Sequence, residues 1–289
     1  MHAFLVLAYE EAQLTSLLAS RLADVGAVHL HVDARSSVNF SDTLRFARPL
    51  PQRLPVHWGG WNMVRASLLL ARQAFTDPEV DQVTLLSGRH YPVLSPRSLV
   101  AEPPADRIRL QPAPDIDMDK PEWRFRHRYV SWFSPQSRRS VAINGVLRRL
   151  TWYDYQKVLA GRQLYAGAAW WSLTRPTLEA AMRLLSQDHA LRRYLRSIVC
   201  PDESAINTLV GAVLDSRAAA GETHLYAPWI NRETTYVEWA GQHRHPEPLT
   251  AASIRRAREQ GWWFARKFTL ADVEEAEAHW SHPMSGMGS

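Results

Sequence analysis

Glu203 ends the tripeptide Pro201-Asp202-Glu203, just ahead of a helical pattern built on Ile206, Leu209 and Val210. A carboxylate there serves either as a general base or as a favourable charge in the first turn of a helix. Late in the chain Arg232, Arg244, Arg266 and Lys267 supply cations, and a base together with an anion clamp makes one coherent chemical set. Lys267 also reads as an ordinary surface lysine. Asp33 closes the apolar run Val28 to Val32, where an Asp-x-Asp would hold a divalent cation, but Asp33-Ala34-Arg35 puts arginine in the place of the second carboxylate. Asp115, Asp117 and Asp119 alternate correctly but follow Gln111-Pro112-Ala113-Pro114 and read as a solvated loop. His29 with His31, and His243 with His245, each fall short of a zinc site by two convergent ligands. Strand and surface roles are expected for them, and no metal site is expected.

What is missing narrows the field. No Gly-x-Gly-x-x-Gly and no Walker sequence occurs, which argues against a dinucleotide dehydrogenase or an ATPase. Neither Gly-x-Ser-x-Gly nor a local cysteine signature supports nucleophilic hydrolysis. The single cysteine, Cys200, has no partner for an intramolecular disulfide and reads as a small buried apolar residue in a cytosolic chain. With 289 residues, 46% apolar and 22% charged, the chain is expected to fold as a soluble globular protein. No stretch approaches the roughly 18 apolar residues of a membrane span. The net charge of +5 is mild, but the stretch from Trp123 to Tyr153 carries seven arginines (124, 126, 128, 138, 139, 148 and 149) and no acid. It would suit an anionic acceptor, an anionic membrane surface or simply solvent.

These residues need elements to hold them. Short apolar runs alternate with helical patterns through the first third, which predicts βαβ units and a largely parallel sheet. Strands are expected at Ala3–Ala8, Val28–Val32 and Val83–Leu86, a helix on Leu14, Leu17, Leu18 and Leu22, and a second on Val64, Leu68, Ala71 and Phe75. Arg21 falls within the first helix's apolar stripe and would have to extend its head to water. Ligands bind such sheets at the carboxyl ends of the strands, so Asp33, the Ser87 to Tyr91 turn and the loop before Trp61 should face one crevice. Beyond Pro103 loops are expected to about Tyr155, with one helix from Val146 onward. The apolar run Ala168–Leu173 follows, then helices on Leu178, Met182 and Leu185 and on Ile206, Leu209 and Val210. The tail predicts a strand at Tyr236–Trp239, a helix opened by Thr250, the segment Trp262 to Phe268, a helix capped by Thr269 and a frayed end. Trp170, Trp171 and the Trp123 to Trp132 region either offer aromatic faces to sugar rings or belong to the core.

Seven segments in order carry a resemblance: Ala3-Phe-Leu-Val-Leu-Ala-Tyr9, Val28-His-Leu-His-Val-Asp33, Trp58-Gly-Gly-Trp-Asn-Met-Val-Arg65, Leu85-Leu-Ser-Gly-Arg-His-Tyr-Pro92, Ala168-Ala-Trp-Trp-Ser-Leu-Thr-Arg175, Pro201-Asp-Glu-Ser204 and Phe264-Ala-Arg-Lys-Phe268. Together they resemble a bacterial member of the core-2/I-branching β-1,6-N-acetylglucosaminyltransferase and peptide O-xylosyltransferase family, glycosyltransferase family 14. The resemblance implies a single α/β domain of GT-A-like (Rossmann-like) fold over residues 1–280. Its nucleotide-binding half would be 1–102, its acceptor and catalytic half 103–280, and 281–289 a flexible tail. It also implies a UDP-sugar donor carrying N-acetylglucosamine or xylose, inversion at the anomeric carbon, and neither metal nor other cofactor.

By the same resemblance Asp33 contacts uracil, the Trp58-Gly59-Gly60-Trp61 segment lines the uridine pocket, Glu203 is the catalytic base, and Lys267, beside Arg266, pairs with the departing diphosphate. Its arginine partner is either Arg232 or Arg244. His90 stands where the family usually has Asp, at a position tied to acceptor or sugar contact, and Trp170 and Trp171 are candidates for the acceptor side. The acceptor is expected to be a glycan, glycolipid or peptide, with no nucleic acid. The setting is expected to be cytoplasmic, with peripheral membrane contact as an option. A non-catalytic nucleotide-sugar-binding or basic nucleic-acid-binding protein is the rival reading.

Overall fold

The computed structural model describes residues 1–112, 127, 139, 142–146, 155–222, 233–239, 246–278 and 280. The Asp115 to Asp119 repeat, most of the arginine-rich stretch, the helix expected beyond Val146, His243, His245 and the tail after 280 lie outside these residues.

The chain opens with β1 (His2–Ala8), α1 (Ala12–Ala23), β2 (Ala27–Val32), the two-residue β3 (Arg48–Pro49), α2 (Trp61–Ala74) and β4 (Gln82–Ser87). Next come β5 (Tyr91–Pro92), α3 (Pro96–Leu99) and β6 (Gln111–Pro112). The later elements are α4 (Tyr155–Leu159), β7 (Tyr165–Ala166), β8 (Ser172–Thr174), α5 (Arg175–Gln187), α6 (His189–Ser197), α7 (Ala205–Ala219), β9 (Thr235–Val237), α8 (Ala251–Glu259), β10 (Phe264–Arg266) and α9 (Val273–Glu277). The main sheet has the order β3-β2-β1-β4-β8. Strands β1 to β4 run parallel, and β8 pairs antiparallel with β4 through Val83 and Leu173.

The pleat sorts β1 between two cores. Ala3 and Leu5 face a cluster with Val64, Leu68, Leu178 and Leu209 from α2, α5 and α7. Phe4, Val6 and Ala8 face the other cluster with Leu14, Leu18 and Leu22 of α1, and with Ile254, Phe264 and Phe268. Burial on both faces explains why β1 reads as a continuous apolar run rather than an alternating one.

The capping signals hold. Thr250 accepts from the Ser253 amide at 3.1 Å, and Asp272 accepts from the Thr269 amide at 2.7 Å, each within a capping box. Arg21 does not simply reach for water. Its guanidinium makes two 2.8 Å bonds to Glu277, which also accepts from the Tyr91 hydroxyl, and this ties α1 to α9. Among the described residues no helix is long and apolar enough to cross a membrane.

A second, three-stranded sheet has the order β5-β10-β9. Its middle strand pairs antiparallel with β5 and parallel with β9, and the Phe268 amide donates to the Arg89 carbonyl at 3.0 Å. These bonds carry Arg266 and Lys267, from near the end of the chain, to the carboxyl end of β4.

Candidate active site

A cleft of about 1020 Å³ opens where β1, β2 and β4 end, and Tyr9, Asp33 and Ser87 lie on its wall at those three strand ends. That volume is at the upper end of the ~300–1,000 Å³ typical of ligand pockets, enough for a large substrate or two. Trp58, Trp170, Glu203, Arg266 and Lys267 share the cleft with Asp33. Six residues singled out in the sequence are thus brought together from positions 33 to 267.

Asp33 is buried and both its oxygens are engaged. Oδ1 accepts from the Arg35 amide at 2.8 Å and Oδ2 from the Arg35 guanidinium at 3.0 Å. Burial pushes this carboxyl up, but the bonds from Arg35 outweigh it and hold the group below its ordinary value. Trp58 is half exposed and hangs on a loop in which Gly59 takes the left-handed region at φ 67°. Gly59 and Trp61 do not line the cleft. Trp61 begins α2 and packs against the first core cluster.

Glu203 lies in a single 3₁₀ turn, Pro201–Glu203, and Ser204 breaks the helical path at φ −142° before α7 begins. The carboxylate therefore precedes the helix instead of capping its first turn. The turn is anchored on both sides. The Cys200 amide donates to the Gly59 carbonyl at 3.2 Å, and the Gly167 amide donates to the Glu203 carbonyl at 3.0 Å. Gly167 has to be glycine, because a Cβ there would sit 2.2 Å from the Arg109 carbonyl oxygen. That close approach brings the Gly167 to Trp170 segment against the Glu203 turn.

On that segment the Arg266 guanidinium lies 4.6 Å from the centre of the Trp170 ring, and it also feels the charge of Asp202, the neighbour of Glu203. Burial, reinforced by Arg89, pushes Arg266 down to about 10, which leaves it cationic at neutral pH. Lys267 is lowered by burial and then by Arg266 and Arg89. Cations crowded against one another in this way favour an anion between them.

His90 and Trp171 do not reach the cleft. His90 is 0% exposed; its Nδ1 accepts from the Ser87 amide at 3.0 Å, and its ring meets Trp170 edge-on at 4.5 Å. Burial keeps its pKa well below the usual 6.5, so the ring is neutral. An acceptor cannot touch a fully enclosed ring, and His90 instead backs Trp170. Trp171 is 1% exposed and belongs to the first core cluster. Arg232 and Arg244 lie outside the described residues.

The cleft also holds residues that sequence reasoning passed over, among them Tyr9, Arg109, Glu233, Tyr236 and Trp239. Tyr9 immediately follows β1 and is 44% exposed, and Trp239 follows β9 and is 59% exposed. A large aromatic just past a strand end was the signal available for both. Among the described residues no three His, Cys, Asp or Glu side chains are grouped to hold a metal ion. His29 bonds Gln73 at 3.0 Å, and His31 accepts from the Leu54 amide at 3.0 Å.

In comparison with known families, the model of the Core-2/I-Branching enzyme family matches residues 2–259. The match takes in Asp33, Trp58, His90, Trp170 and Glu203 and stops short of Arg266 and Lys267. No curated protein matches the sequence.

Proposed function

Because the chain belongs to the Core-2/I-branching enzyme family and is thereby a glycosyltransferase, we propose that it moves N-acetylglucosamine or xylose from a UDP-sugar to an acceptor hydroxyl, with inversion and without a metal. The observation that carries this reading is the gathering, in one cleft, of the Glu203 carboxylate and the Arg266–Lys267 cations, with Asp33 and Trp58 at its nucleotide end.

In the proposed step the acceptor oxygen attacks the anomeric carbon and the bond from that carbon to the β-phosphate oxygen breaks. Glu203 takes the acceptor proton, and UDP leaves with the bonding electron pair toward Lys267 and Arg266. The negative charge that grows on the diphosphate makes these cations more effective in the transition state than in the ground state. Metal independence is supported by Arg35, which sets a positive charge on Asp33 where a second carboxylate would be needed to hold a cation. We assign the donor to residues 1–102 together with Arg266 and Lys267, and the acceptor to the side bearing Glu203, with Trp170, which carries Arg266 on its ring, between the two. The acceptor is a glycan, glycolipid or peptide, met in the cytoplasm or at the inner face of the membrane.

The test is Glu203→Gln, assayed for sugar transfer in the presence of a chelator. Transfer is expected to fall by roughly 10² to 10⁴, with UDP binding retained. Unchanged transfer would remove Glu203 from the mechanism, and failure of the wild type to bind UDP, or binding only with added manganese, would sink the donor assignment.

A further inference from the structure

We propose that Arg35 is a positioning residue for the donor, a guanidinium that fastens together the three loops forming the nucleotide end of the cleft and keeps Asp33 ready to receive the base. This rests on the reading of the cleft as a UDP-sugar site. Arg35 itself is not on the cleft wall. It acts through residues that are.

The geometry begins with a local turn. The Arg35 amide donates to Asp33 Oδ1 at 2.8 Å, an Asx-type turn that folds the arginine back over the strand end. The side chain then grips the same carboxylate, with Nε 3.3 Å from Oδ1 and Nη2 3.0 Å from Oδ2. A planar fork meeting both carboxylate oxygens is a geometry lysine does not offer.

The outer edge of the fork reaches the loop that leads into α2. Nη2 also donates to the Val56 carbonyl, and Nη1 lies 3.3 Å from His57 Nδ1. Val56 and Trp58, on either side of His57, both line the cleft. The guanidinium carbon lies over the Tyr9 ring, 5.2 Å from its centre, and Tyr9 belongs to the loop after β1. One side chain thus touches the segments that follow β1 and β2 and the segment that precedes α2, and each of them supplies cleft wall.

Other bonds hold the same loop at different points. The Leu54 amide donates to His31 Nε2 at 3.0 Å, the Ala34 amide to the Leu54 carbonyl at 3.0 Å, and Asn62 to the Pro55 carbonyl at 2.8 Å. Arg53 donates to the Asp33 carbonyl at 2.6 Å and to the Ser36 carbonyl at 2.8 Å. The loop therefore keeps its path when Arg35 is changed, and what is lost is the alignment of Asp33, Tyr9 and Trp58 with one another. That separates positioning from folding. The Arg35 side chain is 33% exposed while that of Asp33 is 5% exposed, so Arg35 is the charged partner of a buried carboxylate whose other bonds come from the backbone of residues 35 and 56.

The experiment compares Arg35→Lys, Arg35→Gln and Asp33→Asn with wild type. UDP affinity is read by calorimetry and transfer by KM for donor and kcat. Loss of a charge-assisted bidentate pair should weaken UDP binding by about tenfold or more in Arg35→Gln, with Arg35→Lys in between. The donor KM should rise in step, while kcat at saturating donor stays within about twofold of wild type.

A second readout uses pH. Asp33 faces Arg35, Arg53, His31, Tyr9 and His57. In Arg35→Gln the backbone amides of residues 35 and 56 still lower the carboxyl, but the guanidinium's bonds and charge are gone and burial weighs more. The Asp33 pKa therefore rises relative to wild type, and the ratio of Arg35→Gln to wild-type affinity should fall as the pH is lowered into the carboxylate range. Taking the ratio cancels titration of His31 and of UDP itself. Asp33→Asn should be weak and show no such trend, and adding Arg35→Gln to it should weaken binding little further. Unchanged UDP affinity in Arg35→Gln, or a loss confined to kcat, would overturn the inference while leaving the glycosyltransferase reading intact. Arg35→Lys guards against a folding defect in the glutamine variant. Absence of UDP binding in the wild type would instead undo the donor site on which the inference rests.

Discussion

Trp170 and Trp171 are neighbours in sequence with opposite expected roles. Trp171 is 1% exposed in the core beside β4, and its carbonyl accepts from the Leu85 amide at 2.9 Å, a bond that survives any side-chain change. Trp171→Ala therefore isolates the loss of a buried indole, about 3–5 kcal/mol for a core aromatic. At about 2–4 °C per kcal/mol for a chain of this order, Tm should fall by roughly 6–20 °C. The folded fraction of this variant, assayed well below its midpoint, should bind UDP within about threefold of wild type, because no atom of the cleft wall has been removed.

Trp170→Ala removes the ring on which Arg266 rests and against which His90 packs. Here UDP affinity and transfer should both fall, on the order of tenfold for a lost cation–aromatic support in a partly dry site. Thermal melting and calorimetry on the two purified variants make the comparison. A Trp171→Ala protein with near wild-type Tm but without transfer would refute the division of labour between the two rings.

Lys267→Ala should lower kcat by about 10² to 10³, as removal of one charge-stabilising group does in other active sites, and single-turnover transfer at saturating donor will measure it. Glu277→Gln tests the Arg21–Glu277–Tyr91 link and should destabilise by about 1 kcal/mol, since the pair is partly exposed. Burial raises the Glu277 carboxyl, but bonds from Arg21 and Tyr91 prevail and hold it below its ordinary 4.5. A carboxyl lowered on folding contributes stability above its unfolded pKa and loses it as pH falls through the folded one. The Tm gap between wild type and Glu277→Gln should accordingly be full at neutral pH and shrink below about pH 4.5, and a gap independent of pH would contradict the ion pair.

Much of the frame is legible in the residues. The alternation of β1, α1, β2, α2 and β4 follows from hydrophobic spacing, and the capping threonines mark α8 and the turn before α9 because their partners sit three residues away. Of the candidate site, what the sequence anticipates is that Asp33, Trp58, Trp170, Glu203, Arg266 and Lys267 come together, and the structure sets these six on one cleft. Failures came where contacts are distant or backbone direction matters. Along extended chain, successive side chains point to opposite faces, so Trp170 and Trp171 never could both meet a sugar. His90 lies in a turn that folds its ring back onto Ser87, which residue type alone does not reveal. The three-residue strands β9 and β10 carry too little pattern to announce a sheet, and Arg21 finds Glu277 256 residues away.

The borders of the five-stranded sheet bear on behaviour at high concentration. Unpaired strand edges recruit other chains, and both edges here are blunted. On one side β3 is only two residues long and includes Pro49, which has no amide proton to offer a visitor. On the other, β8 is three residues long, and Arg107 bridges to Ser172, its amide donating to the Ser172 carbonyl at 2.7 Å and its carbonyl accepting from the Ser172 amide at 2.9 Å. Among the described residues this sheet therefore offers only short, interrupted edges to a neighbouring chain in a concentrated solution.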